Sequence, residues 1–286
     1  MKILKDIDQT RRAVLETRRN GKTVGLVPTM GALHEGHLSL VRAASERCDV
    51  VAVTIFVNPT QFGPGEDFGQ YPKPIEDDLA ACENAGVDLV FVPEVETVYP
   101  TGAATKVHVS GLTEGLCGAS RPTHFDGVTT VVAKLFNILP ADVAFFGEKD
   151  YQQLQVIVRM VRDLNMPIEI VGCPIIREPD GLAMSSRNAY LTPDQRKQAV
   201  CLSKTLFAAG ERAIRGERDV AELTGHIRSE IAAAGLADID YVEVVDAGTL
   251  APLKRIDRSA RVCLAVRIGS CRLIDNIGVD VGDDSD

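Results

Sequence analysis

The chain has 286 residues, 45% hydrophobic and 25% charged, with a formal net charge of −9. That length predicts one large or two modest domains, and the composition excludes a disordered or collagen-like chain. The acidic balance disfavours a nucleic-acid scaffold, which needs a basic stripe, but leaves room for a local basic pocket for phosphates.

The predicted elements alternate between strand and helix. Residues 23–28 form a short apolar run that stops at Pro28. Residues 37–47 have helical spacing, with Leu38, Val41, Ala43 and Ala44 on one face. Residues 50–57 are apolar and β-branched, as in a strand buried on both faces of a parallel sheet. A helix with an acidic start is expected over 75–85, stopped by Gly86, then a strand over 88–92. Helices over 125–138 and 151–163 are each followed by a strand, at 141–146 and 168–171. This rhythm predicts an α/β fold: a parallel sheet covered by helices, with ligands at the carboxyl ends of its strands. The rhythm changes near Ile176. Helices at 193–215 and 220–234 are followed by strands at 241–245, 261–268 and 271–277, the last two joined by a tight turn at Gly269-Ser270. Two domains are therefore expected, a parallel-sheet domain over 1–176 and a smaller C-terminal α+β domain over 177–286. The acidic tail 281–286 is expected to fray, and the Gly- and Pro-containing loop 63–74 to carry function.

No apolar run reaches membrane-span length, and residues 1–6 lack the apolar core of a signal peptide. Seven cysteines, none in a CxxC pair, read as reduced and mostly buried thiols of a cytosolic protein, and no tight Cys/His cluster suggests zinc.

Three stretches carry chemistry. Met30-Gly31-Ala32-Leu33-His34-Glu35-Gly36-His37 joins the first predicted strand to the first helix. His34 and His37 are one helical turn apart and can face one ligand. A helix N-terminus offers N–H groups to phosphate, and the glycines allow close approach. Two imidazoles there can stabilise charge building on phosphoryl oxygens. The competing readings are two capping or surface histidines, or zinc, whose HExxH spacing the motif does not match. Gly147-Glu148-Lys149-Asp150 follows another strand, with Gln153 four residues after Lys149. The alternative is an exposed loop lysine. Met184-Ser185-Ser186-Arg187 lies at the domain junction, and its hydroxyls and guanidinium suit phosphates. The alternative there is a polar linker with a helix cap.

Together these stretches carry a resemblance. His34-Glu35-Gly36-His37 resembles the HxGH signature of the adenylyl-transferring Rossmann-like superfamily, and Met184-Ser185-Ser186-Arg187 is similar to its KMSKS element. More narrowly, the chain resembles the pantothenate synthetase (pantoate–β-alanine ligase) family. The matching blocks are 28–37, 56–62, 121–128, 146–153 and 181–188. The resemblance implies a Rossmann-like first domain with the C-terminal domain closing over the site. It also implies an ATP-dependent ligase of pantothenate and coenzyme A biosynthesis. Such an enzyme condenses (R)-pantoate with β-alanine through a pantoyl-adenylate, releasing pyrophosphate and then AMP. ATP and Mg²⁺, a cytoplasmic location and a homodimer follow from the same resemblance, with no nucleic-acid or membrane partner. It carries ATP binding onto Met30 through His37, Gly147, Glu148, Lys149, Asp150, Ile176 and Met184 through Arg187. His37 matches the family's proton donor, with His34 and Lys149 beside it as catalytic candidates. Gln61 and Gln153 match its pantoate-binding glutamines, and Gln61 also neighbours β-alanine. Ala183 and Ser186 stand where the wider superfamily has lysines, so Lys149 and Arg187 are the candidates for the missing charge. No residue is assigned to Mg²⁺.

Other residues receive plainer readings. Asp77 and Asp78 read as a solvated acidic helix start, with an approach to Mg²⁺ or a ribose as the alternative, and Arg11, Arg12, Arg18 and Arg19 as a solvated helix face. His124 and Arg121 either shape the acid pocket or belong to a dimer contact. Two rivals to the ligase stand: a non-catalytic nucleotide sensor, and a nucleotidylyltransferase that stops at an adenylylated product.

Overall fold

The computed structural model describes residues 1–280; the acidic tail expected to fray, 281–286, lies outside the described residues. The chain divides into two units that interleave in sequence. The first takes Met1–Ser110, Arg121–Glu148 and Val156–Ile175. The second takes Gly111–Ser120, Lys149–Gln155 and the chain from Ile176 onward.

The first unit is built on six parallel strands: β1 (Lys2–Leu4), β2 (Val24–Thr29), β3 (Val50–Ile55), β4 (Leu89–Phe91), β5 (Val143–Gly147) and β6 (Glu169–Cys173), in the order β1-β4-β3-β2-β5-β6. Its helices are α1 (Ile7–Arg19), α2 (Glu35–Arg47), α3 (Ile75–Asn84), the short α4 (Val95–Val98) and α6 (His124–Ile138). The β-branched runs of β2 and β3 lie at the centre and are buried almost throughout, as a sheet covered on both faces requires. Leu40, Val41 and Ala44 of α2 pack with Val27, Val51 and Val53 in one core. β2 continues one residue past Pro28. The proline is tolerated because the pairing of β2 with β5 is confined to Gly25 and Leu26, so no ladder donor is needed there. From β2 the chain builds β3 and β4 on one side, and β5 and β6 on the other. The direction of winding therefore switches between β2 and β5, which is where open α/β sheets bind ligands.

In the second unit, α8 (Pro193–Ile214) and α9 (Val220–Ala233) cover an antiparallel sheet of β7 (Ile239–Asp246), β8 (Ala260–Ile268) and β9 (Cys271–Val279). Leu202, Leu206, Leu223 and Ile227 meet Val262 and Leu264 in its core. Thr192 and Gln195 form a capping box around Pro193 at the start of α8. Gly269, at φ 60°, makes the expected two-residue turn between Ile268 and Cys271. This unit also holds α5 (Cys117–Ser120) and the first turn of α7 (Tyr151–Asp163).

α1 carries the arginine run. Arg12 and Arg19 are exposed as expected, but Arg11 donates to Asn137 O and Arg18 to Pro140 O, and Arg18 also pairs with Asp142 at 2.8 Å. Two of the four thus tie α1 to the end of α6 and the chain beyond it. All seven cysteines are free thiols, five of them buried. No helix among the described residues is long and apolar enough to cross a membrane.

Candidate active site

The loop from β2 to α2 is held by side chains. Thr29 Oγ1 donates to Thr54 O (2.7 Å) and accepts from Gly31 N (3.2 Å). Gly31 and Ala32 then follow each other in the left-handed region, at φ 82° and 49°. Asp78 of α3 fixes this turn, accepting from Ala32 N at 2.9 Å and Leu33 N at 2.7 Å. A Cβ on Gly31 would stand 2.8 Å from its carboxylate, so glycine is required twice over. The expectation of a solvated acidic helix start holds for Asp77 and fails for Asp78, which is 2% exposed. Asp78 shares the inward face of α3 with Leu79 and Cys82. Burial pushes its carboxyl above the ordinary range, against the two N–H bonds that pull it down.

The histidines follow directly. His34 is the N-cap of α2 and accepts Gly36 N at Nδ1 (3.1 Å); His37 Nδ1 accepts His34 N (3.3 Å). Their ring centroids are 4.1 Å apart. A neutral imidazole that accepts at Nδ1 carries its proton on Nε2, so the bonding pattern assigns both rings as Nε2–H donors. The capping and ligand-facing readings are thus compatible, since capping uses one nitrogen of each ring. The amides of the first turn are less available than the sequence suggests: Gly36 N goes to His34 Nδ1, and His37 N and Leu38 N both go to His34 O. The donors this site can offer an anion are therefore chiefly imidazole N–H groups, aided by the helix dipole.

At the end of β3, Asn58 is 1% exposed and caps a single turn, Pro59–Gln61. Its Nδ2 donates to Gln61 Oε1 (3.0 Å) and Gly127 O (3.1 Å), and Gln61 Nε2 donates to Met30 Sδ (3.2 Å). Gln61 and the β2 loop are therefore brought together. Beneath Gln61, Arg121 donates to Gln61 O and forms two 2.6 Å bonds to Glu66, while His124 Nδ1 lies 2.8 Å from Gln61 O. Arg121 and His124 thus both buttress the backbone of Gln61. Burial acts to raise the Glu66 carboxyl, but Arg121 outweighs it and holds the group below its usual range. Gly147 and Glu148 extend from β5 beside the same edge, across the switch point from Met30.

The other predicted residues belong to the second unit. Lys149 Nζ lies 3.5 Å from Asp150, and Lys149 O accepts from Asn276 Nδ2 (2.9 Å). Two adjacent glutamines of α7 differ: Gln152 is buried and bonded to Leu112 O, Gly115 O and Cys117 N, while Gln153 is half-buried on the next face. Residues 176–184 form a hairpin in which Met184 N donates to Ile176 O (3.0 Å) and Arg177 bridges Ala183. This places Ile176 beside the Met184–Arg187 segment. Ser185 then caps a turn over Ser186–Tyr190, accepting from Arg187 N. The hairpin is framed by ions: Arg177 grips the buried Asp275 at 2.6 and 2.9 Å, and Arg196 bridges Glu178 and Asp180, each at 2.7 Å.

Comparison with known proteins decides the family. The Pantoate-beta-alanine ligase family matches residues 2–278. The chain belongs to the pantoate–β-alanine ligase family. A pantothenate synthetase from Moorella thermoacetica is 55% identical over 283 residues, 99% of this chain and 100% of that protein. One from Enterococcus faecalis is 56% identical, over 96% of this chain and 98% of that protein. The pantothenate synthetase structure from Thermus thermophilus has a TM-score of 0.92 at 47% identity, covering 97% of this chain and 99% of that chain. A pantoate-beta-alanine ligase from Francisella tularensis, solved as a complex with beta-gamma ATP and beta-alanine, has a TM-score of 0.82 at 34% identity, covering 97% of each chain.

For a pantoate–β-alanine ligase, sequence reasoning overlooked the supports behind the motif residues. Asp78 left a usable signal, its position among the apolar residues of α3. Tyr99, whose hydroxyl donates to Asn58 Oδ1 at 3.0 Å, left none, because 41 residues separate the pair.

Proposed function

We propose that this chain is an ATP-dependent ligase that joins (R)-pantoate to β-alanine through a pantoyl-adenylate. The observation that carries the reading is the histidine pair, two Nε2–H donors side by side at the carboxyl edge of the sheet, next to its switch point. In the first step a pantoate carboxylate oxygen attacks the α-phosphorus of ATP and pyrophosphate leaves with the electron pair of the broken P–O bond. The carboxylate is already a nucleophile at neutral pH, so the protein's task is placement and charge stabilisation. His34 and His37 donate to phosphoryl oxygens, with His37 the proton donor, and Lys149 and Arg187 supply positive charge. Met30 through His37, Gly147 through Asp150, Ile176 and Met184 through Arg187 line the nucleotide. Gln61 and Gln153 hold pantoate by amide hydrogen bonds that add no repelling charge. In the second step the free amine of β-alanine attacks the acyl carbon, the amine proton is lost, and AMP leaves.

The same reading takes Mg²⁺ with the nucleotide. Among the described residues no group of three or more His, Cys, Asp or Glu is arranged to hold a metal ion, so no protein cage fits it and no step is routed through one. Phosphate oxygens are the usual ligands of nucleotide-bound Mg²⁺. We further assign the chain a cytoplasmic location and a homodimeric state, read from the family resemblance.

The deciding experiment is pantoate-dependent ATP–pyrophosphate exchange without β-alanine. Exchange establishes the adenylate. Normal ATP binding without exchange favours a nucleotide sensor, and exchange without pantothenate formation on adding β-alanine favours an enzyme that stops at the adenylate.

A further inference from the structure

The amide of Asn58 can sit only one way round. Its Oδ1 faces three donors: Thr60 N (3.3 Å), Thr60 Oγ1 (2.8 Å) and Tyr99 Oη (3.0 Å). Its Nδ2 faces two acceptors, Gly127 O (3.1 Å) and Gln61 Oε1 (3.0 Å). Rotating the amide by half a turn would set its NH2 against the Thr60 N–H and its oxygen against a carbonyl. That orientation propagates. Because Asn58 offers Gln61 a donor, Gln61 must turn its carbonyl oxygen inward, and its NH2 points away, toward Met30 Sδ at 3.2 Å. If Asn58 were reversed, Gln61 would reverse with it and present an oxygen instead.

We propose that the hydroxyls of Tyr99 and Thr60 are positioning groups for the acid substrate: Thr60 N and Gly127 O set the sense of the Asn58 amide, and the two hydroxyls hold it in place, so that Gln61 presents N–H donors to an anionic carboxylate or its hydroxyls. This rests on the reading that Gln61 lines the pantoate pocket. Neither hydroxyl touches substrate; each acts through Asn58. A donor face suits an acid, whereas an acceptor face would repel it, so the chain of bonds sets the sign of the pocket as well as its shape. Burial raises the Tyr99 phenol above its ordinary range, and the Thr60 hydroxyl, whose Oγ1 lies 3.2 Å from Tyr99 Oη, only partly offsets this. The phenol is therefore protonated and able to donate wherever the enzyme is folded near neutral pH.

The test is a variant series read by separate pantoate and ATP titrations and by thermal melts. Tyr99→Phe and Thr60→Val each remove one hydroxyl with little change of shape. Each should raise the pantoate KM by about three- to tenfold, as expected for one lost hydrogen bond. The double variant, which leaves only the Thr60 N–H, should raise it by about 30-fold or more. ATP KM should stay within about twofold, and Thr60→Ser, which keeps the hydroxyl, should restore the pantoate KM. Gln61→Ala is measured alongside. If Gln61→Ala raises the pantoate KM while the double variant leaves it unchanged, the positioning role is wrong and the pocket assignment stands. If the double variant raises both KM values together with a lowered melting point, the hydroxyls are merely structural and the proposal is overturned. If Gln61→Ala itself leaves the pantoate KM unchanged, the pocket assignment fails and the proposal falls with it.

Discussion

Gly127 sits inside α6, where a glycine ordinarily weakens a helix, and its replacement by alanine makes a quantitative test. A Cβ there would lie 2.4 Å from Thr60 O, 2.5 Å from Thr60 C and 2.6 Å from Gln61 Cα. Comfortable contact needs roughly 3.5 Å, so the Pro59–Gln61 turn and α6 must part by about 1 Å. α6 is buried along most of its length, so the turn is the element that yields. Overpacking of this kind costs about 1–3 kcal/mol, against a gain of about 1 kcal/mol for alanine over glycine in a helix. The net loss of up to about 2 kcal/mol corresponds to a fall of roughly 4–8 °C in Tm. Function should suffer more than stability. The displaced residues carry Gln61 and the Asn58 bond to Gly127 O, and a misplacement of about 1 Å in a positioning group costs up to about 100-fold in rate. Gly127→Ala should therefore lower kcat/KM for pantoate by about 10- to 100-fold, with ATP KM nearly unchanged. The assay is pyrophosphate exchange with pantoate varied at saturating ATP and the reverse, alongside a thermal melt. A wild-type pantoate KM would show that this backbone contact does not place Gln61.

Three further outcomes are expected. Asp78→Asn leaves one of the Ala32 and Leu33 amides without an acceptor, a loss of about 1–3 kcal/mol, and should raise ATP KM by roughly tenfold or more; an unchanged ATP titration would mean that the loop holds its shape without the carboxylate. Glu66 has a folded pKa held below its unfolded value, so its contribution to stability is complete above about pH 4–5 and is lost as acidification passes through the depressed value. Glu66→Gln should lower the urea midpoint at about pH 7 and flatten its fall between about pH 5 and 3, and parallel curves for the two proteins would remove Glu66 from the acid response. His37→Ala should fold normally and lose about 100-fold or more in kcat, as for a lost transition-state donor, and near wild-type turnover would exclude it from the chemistry.

The central sheet was legible because β2 and β3 are apolar and β-branched and are flanked by helices with clear periodicity. β1 was not: a strand this short cannot display a period, and its place at the edge beside β4 comes from pairing Lys2 with Leu89, far along the chain. α1 was seen only as a charged face, since just Thr10 and Val14 of its residues are buried. The motif residues were legible as chemistry, but their supports were not. Asn58 depends on Gly127, 69 positions on, and Gln152 and Gln153 look alike in sequence while only Gln152 is committed to buried backbone groups. Long-range hydrogen bonds of this kind leave no local pattern, because each end needs only a polar side chain that could equally face water.

The β2 loop shows why such supports accumulate under the proposed catalytic motif. Two successive left-handed residues, one of them Ala32, cost about 1–2 kcal/mol for the alanine alone. The turn persists because a buried carboxylate accepts two of its amides in charge-assisted bonds, which are stronger than neutral ones. A carboxylate beneath an anion-binding loop is unfavourable for the anion, and a loop built only for backbone phosphate binding would leave those amides pointing at the ligand. Here they are committed to Asp78, and the next amides to His34 and His37, so on the proposed reading the donors for a phosphate are imidazole nitrogens. An imidazole differs from an amide in one respect that matters here: one nitrogen is anchored to the loop while the other carries the N–H, so the donor's aim is fixed by the loop itself. On the proposed reading, the loop exchanges several backbone dipoles for two anchored Nε2–H donors, preorganised for the negative charge that develops on phosphoryl oxygens.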